Sequence, residues 1–151
     1  MPQSLANALM HIVFSTKERR AMFQNPDLRD EIHRYLAGVT AKLNCPAVIV
    51  GGATDHVHLL ANQARTIALA EWVKELKRVS SVWAKERTPD WGLFQWQAGY
   101  GAFSVSQSQK ARVEGYIRSQ EEHHRRWSFQ DEFRQLLRKN NIAFDEEYVW
   151  D

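Results

Sequence analysis

The sequence predicts an α+β fold of the ferredoxin-like kind: a four-stranded antiparallel sheet in β-α-β-β-α-β order, two helices on one face, and further helices at the C-terminal end. Three observations carry this expectation. Short runs with strand character, near residues 9–15, 48–50 and 56–60, are interrupted by two long stretches whose apolar residues recur at helical spacing. The second and third runs are separated only by Gly51-Gly52 and Thr54-Asp55, a tight connection that makes them a hairpin. A fourth run, rich in aromatics and glycine, follows the second helical stretch.

Each element has its own signal. Leu9 to Ser15 is the first strand, with Met10, Ile12 and Phe14 on one face. Asn25-Pro26-Asp27 marks a turn, after which Leu28, Ile32, Tyr35, Leu36, Val39 and Leu43 define a first helix that Pro46 stops. The β-branched run Val48-Ile49-Val50 is the second strand, and Asp55-His56-Val57-His58-Leu59-Leu60 carries the third. Leu69, Trp72, Val73, Leu76, Val79 and Trp83 mark a long second helix, ended by Thr88-Pro89-Asp90. Phe94 to Val105 reads as the fourth strand, bent or bulged near Gly99 and Gly101. A helix from about Gln109 to His124 follows, then a last helix with Phe129, Phe133, Leu136 and Leu137 in register. At 151 residues and 44% hydrophobic content one domain is expected, with a core of about 5–106 and a helical extension of about 108–151.

Two residue pairs suggest chemistry. His56 and His58 are two apart, so on a strand both imidazoles leave one face while Val57 and Leu59 pack on the other. Helices covering Val57 and Leu59 would leave the histidines on an open sheet face. Tyr116 and Gln120 are four apart, so on a helix phenol and carboxamide share a face, and the amide oxygen can serve as a third metal ligand. Taken together, the pairs suggest a nucleophile beside a Lewis acid.

Composition bounds the alternatives. A net charge of +2 does not select a partner, but the basic residues cluster at Lys17/Arg19/Arg20, at Lys74/Lys77/Arg78 and from Lys110 to Arg126, patches that can hold a polyanion. The single cysteine, Cys45, has no intrachain partner, and no basic segment leads into an apolar stretch of signal-peptide length, so a cytoplasmic protein is the expectation. The longest uncharged run, Leu43 to Thr54, is short of a membrane span and is broken by Pro46 and two glycines.

These residues resemble one family, the single-tyrosine HUH transposases of the insertion-sequence 200/605 type. The first strand with Met10 to Arg20, the strand Asp55 to Leu60, Glu75-Leu76-Lys77-Arg78 in the second helix and Tyr116-Ile117-Arg118-Ser119-Gln120 match its motifs in order. The resemblance implies a DNA transposase that cleaves and rejoins single-stranded DNA at hairpin-flanked sites. Tyr116 would attack a phosphodiester to leave a 5′-phosphotyrosine and a free 3′-hydroxyl, with Mg2+ or Mn2+ held by His56, His58 and Gln120. It further implies hairpin DNA as partner, contacted by Lys17, Arg19, Arg20, Lys77 and Arg78, and a homodimer in which the tyrosine helix of one subunit serves the histidines of the other. Two alternatives stay open: a host-adopted relative acting on repeated palindromic hairpins, and a ferredoxin-like nucleic-acid-binding module without catalysis.

Further positions carry their own expectations. Asp55 is read first as a turn residue and second as a partner that orients His56, His11 as structural or DNA-facing, and His123-His124 with Arg125-Arg126 first as a solvated helix end and second as a group that holds phosphates or extends the metal site. Gly115, beside Tyr116 in a helix, calls for either close packing or mobility.

Overall fold

The computed structural model describes residues 2–151. β1 (Leu9–Ser15), α1 (Pro26–Lys42), β2 (Ala47–Gly52), β3 (His56–Asn62), α2 (Leu69–Arg87) and β4 (Gly101–Ser104) follow in the predicted order. The strands form one antiparallel sheet, β2-β3-β1-β4, with β3 and β1 central. α1 starts where the sequence marks it: Asn25 caps the backbone N–H groups of Asp27 and Leu28, and Pro26 takes the first turn, where a missing N–H is harmless. The α1–α2 layer is tied to itself by the Trp72 indole, which donates to Thr40, and by the stacked rings of Tyr35 and Trp83.

Strand alternation divides the sheet into two chemically different faces. Ile12, Phe14, Val57, Leu59 and Ala61 point toward α1 and α2 and join Ile32, Leu36, Trp72 and Leu76 in the larger core. The opposite face carries His11 and Val13 from β1 and His56, His58 and Leu60 from β3, with Val13 opposite His58 and Ser15 opposite His56. A one-residue slip would exchange the two sets, so the large core fixes which face the histidines occupy.

Three expectations are corrected. The histidine face is not open: α3 (Lys110–Arg118), α4 (Gln120–His123) and α5 (Phe129–Lys139) cover it, and His56 and His58 are fully buried. The helix expected over 109–124 is broken at Ser119 (φ −96°, ψ 18°) into α3 and α4. The fourth strand shrinks to four residues: Gln95 to Gln97 still hydrogen-bond to Ser15 and Lys17, with Trp96 bridged to Thr16, but the chain between Trp96 and Gly101 leaves the ladder. The irregularity expected near Gly99 and Gly101 is present, because Trp96 pairs with Thr16 and Gly101 with Val13, which leaves two extra residues on the outer chain; a further register irregularity lies in β2, between Ala47 and Ile49. Among the described residues no helix is long and apolar enough to cross a membrane.

Candidate metal and nucleophile site

Two glycines set how closely the C-terminal helices approach the sheet. A Cβ on Gly51 would lie 2.8 Å from both the Ile117 carbonyl oxygen and its Cγ2, so α3 rests on β2 only because no side chain intervenes. A Cβ on Gly101 would lie 2.6 Å from the Phe133 ring, which admits α5 at the β4 edge. Ile117 then packs with Leu9 and Leu60, and Phe129, Phe133 and Leu137 pack with Val13 and Phe103. Tyr116 and Gln120 are thereby delivered from one side of the histidines and Glu132 from the other.

Both imidazoles are fixed through Nδ1, with Nε2 turned to a common point. His56 Nδ1 is 2.7 Å from Asp55 Oδ1, and His58 Nδ1 is 2.7 Å from His11 Nε2. Such partners set the orientation of a ligating imidazole. Asp55 is thus more than a turn residue, while the structural reading of His11 holds.

The common point is occupied by Glu132, which the sequence reading did not single out. Its Oε1 lies 3.0 Å from His58 Nε2, 3.4 Å from His56 Nε2 and 3.1 Å from His124 Nε2. Its Oε2 accepts from the Gln120 amide at 2.9 Å and from the Tyr116 hydroxyl. The Gln120 carbonyl oxygen lies 3.0 Å from His56 Nε2 and from His124 Nε2. His124 is therefore part of the cluster and not a solvated helix end. One signal for Glu132 was present: it sits three residues after Phe129 and one before Phe133, on the apolar stripe of its helix, where a carboxylate is out of place without partners.

The charges in the cluster are strongly coupled. Burial pushes His56 down, but its hydrogen bonds to Asp55 and Glu132 outweigh this and hold it at about 9. Burial lowers His58, and burial with His58 alongside lowers His11 to about 3, so both are neutral at pH 7. Burial alone would raise Glu132; the surrounding imidazoles override it and keep the carboxyl well below its ordinary range. Burial and the Glu132 charge raise the Tyr116 phenol above its usual value.

The donor set fits a divalent cation. His56, His58 and Glu132 each offer one ligand atom, all within 4.8 Å of one another. The separations of 3.0 and 3.4 Å to Glu132 Oε1 are those expected between ligands sharing an ion at roughly 2.1 Å. His123, His124 and Glu132 form a second such group on the outer side.

The basic residues predicted to meet DNA lie apart from this cluster. Lys17, Lys77 and Arg78 line a cleft of about 650 Å³ with Lys85 and Trp150, beyond the end of β1 where Ser15 pairs with His56. Arg78 is exposed beside Glu75, Arg20 beside Glu18, and the Arg19 guanidinium lies 5.6 Å from the Trp150 ring. Lys77 points inward: its ammonium donates to the carbonyls of Gln97, Ala98 and Gly99 at 2.6–3.2 Å.

Known proteins share this arrangement of elements. The chain is 25% identical over 115 residues to the ISDra2 transposase TnpA of Deinococcus radiodurans, over 73% of this chain and 81% of that one. A crystal structure of a candidate transposase from Deinococcus radiodurans R1 superimposes with a TM-score of 0.62 at 22% identity, covering 80% of this chain and 96% of that one. A REP-associated tyrosine transposase bound to a REP hairpin superimposes with a TM-score of 0.59 at 11% identity, covering 96% and 90%. The family pattern described as "Transposase IS200 like" spans residues 4–120, from before β1 through Tyr116 to Gln120, and the chain therefore belongs to the IS200-like transposase family.

Proposed function

We infer that the protein cleaves and rejoins single-stranded DNA at hairpin-flanked sites, with Tyr116 as nucleophile and His56, His58 and Glu132 holding a divalent ion, Mg2+ or Mn2+. One observation carries this reading: the Tyr116 hydroxyl donates to the same carboxylate that faces both histidines. Gln120, with its carbonyl oxygen 3.0 Å from His56 Nε2, is a further ligand or a partner that orients the set. A cation bound there supplies positive charge that polarises a phosphate oxygen. Tyr116 attacks phosphorus, the P–O bond to the 3′ oxygen breaks, the phenolic proton is released and the 3′ oxygen gains one. Attack by another 3′-hydroxyl reverses the exchange, so no nucleotide cofactor is needed. In the resting site, Glu132 holds the phenol protonated by its charge and hydrogen bond.

Lys17, Arg19, Arg20 and Arg78 form the proposed hairpin contact, with Lys77 supporting the cleft from within. The site takes groups from residues 55–58 and from 116–132, which supports residues 1–151 acting as one catalytic unit. The likeness to the REP-hairpin complex over 96% of the chain, C-terminal helices included, favours a second reading in which the hairpins are scattered palindromes and the protein is host-adopted.

The test is incubation of the parent protein and Tyr116→Phe with labelled single-stranded hairpin DNA and Mn2+, followed by a denaturing gel. A metal-dependent covalent adduct is expected with the parent alone. Cleavage retained by Tyr116→Phe excludes this nucleophile.

A further inference from the structure

Six tryptophans occur in the chain, and five are engaged. Trp72, Trp91, Trp96 and Trp150 donate their indole N–H groups to Thr40, Met22, Ser80 and Glu146, and Trp83 stacks on Tyr35. Trp127 is the exception. It is 51% exposed, and among the described residues its ring has no stacking partner and its indole no acceptor. Its place in the chain is nonetheless well fixed, because its carbonyl lies 2.6 Å from His124 Nδ1, on the imidazole whose Nε2 faces Glu132.

Around this ring lies an open depression of about 440 Å³, lined by Ser119, Glu122, His123, Arg125, Arg126 and Trp127. Many other arginines of the chain face a carboxylate, among them Arg29, Arg87 and Arg134. Arg125 and Arg126 have none within 4 Å among the described residues, and Glu122 is the one acid in the lining. The inner wall is His123, whose ring centroid is 5.6 Å from that of Tyr116 and whose Nε2 is 3.5 Å from Glu132 Oε2. An unpartnered aromatic face and two unpaired guanidinium groups thus share one mouth, and the nucleophile lies behind its His123 wall. Aromatic faces bind single strands by base stacking, and arginines hold the backbone.

We propose that this depression is a subsite for one unpaired nucleotide flanking the scissile phosphate, its base stacked on Trp127 and its phosphate held by Arg125 and Arg126. The subsite rests on the reading of Tyr116 as the nucleophile acting on single-stranded DNA. It selects unpaired DNA, because a base inside a duplex cannot offer its face to the indole.

The experiment compares the parent with Trp127→Ala, Trp127→Phe, Arg125→Ala/Arg126→Ala and Glu122→Gln by fluorescence anisotropy. The probes are a labelled oligothymidylate of roughly eight nucleotides, within the usual site size for such grooves, its abasic counterpart and a blunt hairpin. Trp127→Ala should weaken the oligothymidylate about tenfold, leave the abasic strand and the hairpin unchanged, and be largely rescued by Trp127→Phe. The double arginine variant should lower the salt slope by about 0.7 per lost phosphate contact on a single strand. Glu122→Gln should tighten binding. Parent-like binding by all variants, from a parent that forms the Tyr116 adduct, overturns the subsite and leaves the nucleophile standing. Equal losses for Trp127→Ala on oligothymidylate, abasic strand and hairpin also overturn it. A parent that neither binds the single strand nor forms an adduct removes the functional reading and the subsite together.

Discussion

Glu132→Ala tests the centre of the site without DNA. The carboxylate side chain is 2% exposed and faces His56, His58 and His124 with one oxygen, Gln120 and Tyr116 with the other. Removing it takes from His56 one of the two acids that hold it charged, leaves Asp55 as the remaining one, and opens a void among buried polar atoms. Breaking a buried, hydrogen-bonded pair costs roughly 3–5 kcal/mol, against a total stability of about 5–15 kcal/mol for a domain. With a urea dependence of about 2 kcal/mol per molar, the unfolding midpoint of the metal-free protein should fall by about 1.5–2.5 M. Glu132 is held below its ordinary range, so its contribution is complete at pH 7 and fades only as pH drops below the unfolded value of about 4.3. Glu132 also helps to hold His56 at about 9, a contribution that is complete below about 6.5 and fades as pH rises toward 9, so parent and variant should differ at least as much at pH 5.5 as at pH 7. Mn2+ at 100 times its dissociation constant should add about 2.7 kcal/mol to the parent, and at that concentration little to Glu132→Ala. A metal-free variant within about 0.5 kcal/mol of the parent, the usual range for surface substitutions, refutes the coupled cluster, and unchanged Mn2+ affinity refutes Glu132 as a ligand.

Gly51→Ala must push α3 off β2 because its Cβ meets backbone at Ile117; overpacking of this kind costs about 1–3 kcal/mol, and adduct yield should fall more than hairpin affinity. Gly115→Ala meets nothing within 4 Å and should raise the melting temperature, by up to about 1 kcal/mol of helix propensity. His33 is lowered to about 4 by burial, and its Nε2 has no partner. The unfolded chain takes up that proton near 6.5 while the native state resists, so stability falls as pH drops from about 6.5 toward 4. His33→Gln should remove roughly 2 kcal/mol of the loss between pH 7 and pH 5, read from urea midpoints. Mixing Tyr116→Phe with His58→Ala should restore no adduct if each chain uses its own tyrosine; recovery on mixing shows exchange between subunits.

The sequence made the sheet and its faces legible because alternation has one period and one meaning: Ile12/Phe14 and Val57/Leu59 could pack only together, which sent His56 and His58 the other way. The aromatic run after α2 misled for a physical reason. Trp91, Phe94 and Trp96 have strand-like composition, yet their rings gather around Phe23 and only Trp96 is bridged to the strand end, at Thr16. Tyr116 and Gln120 were legible as a pair, but the kink at Ser119 was not, since nothing local in Arg118-Ser119-Gln120 demands it. Glu132 and His124 lie beyond the residues that carry the family pattern, and their role depends on a fold-back that only the packing of Phe133 on Gly101 reveals. Gly115 was ambiguous between packing and mobility; the empty space around it removes the packing explanation.

The same packing bears on how the site is assembled. The family resemblance implied a tyrosine supplied by a second subunit, yet one chain brings Tyr116, Gln120 and Glu132 to its own His56 and His58. Several contacts hold α3 and α4 there: Ile117 against Gly51, Tyr116 on Glu132, and the Arg29 guanidinium, 8% exposed, on Glu121. Arg29 also donates to the Phe23 carbonyl, so this bond joins the nucleophile segment to the main core. Each of these contacts joins the nucleophile segment to residues of its own chain. An extension that closes over the histidines thus does two things with one set of contacts. It completes the ligand cluster through Glu132, and it sets the tyrosine beside the histidines of its own chain, the arrangement that mixing Tyr116→Phe with His58→Ala tests.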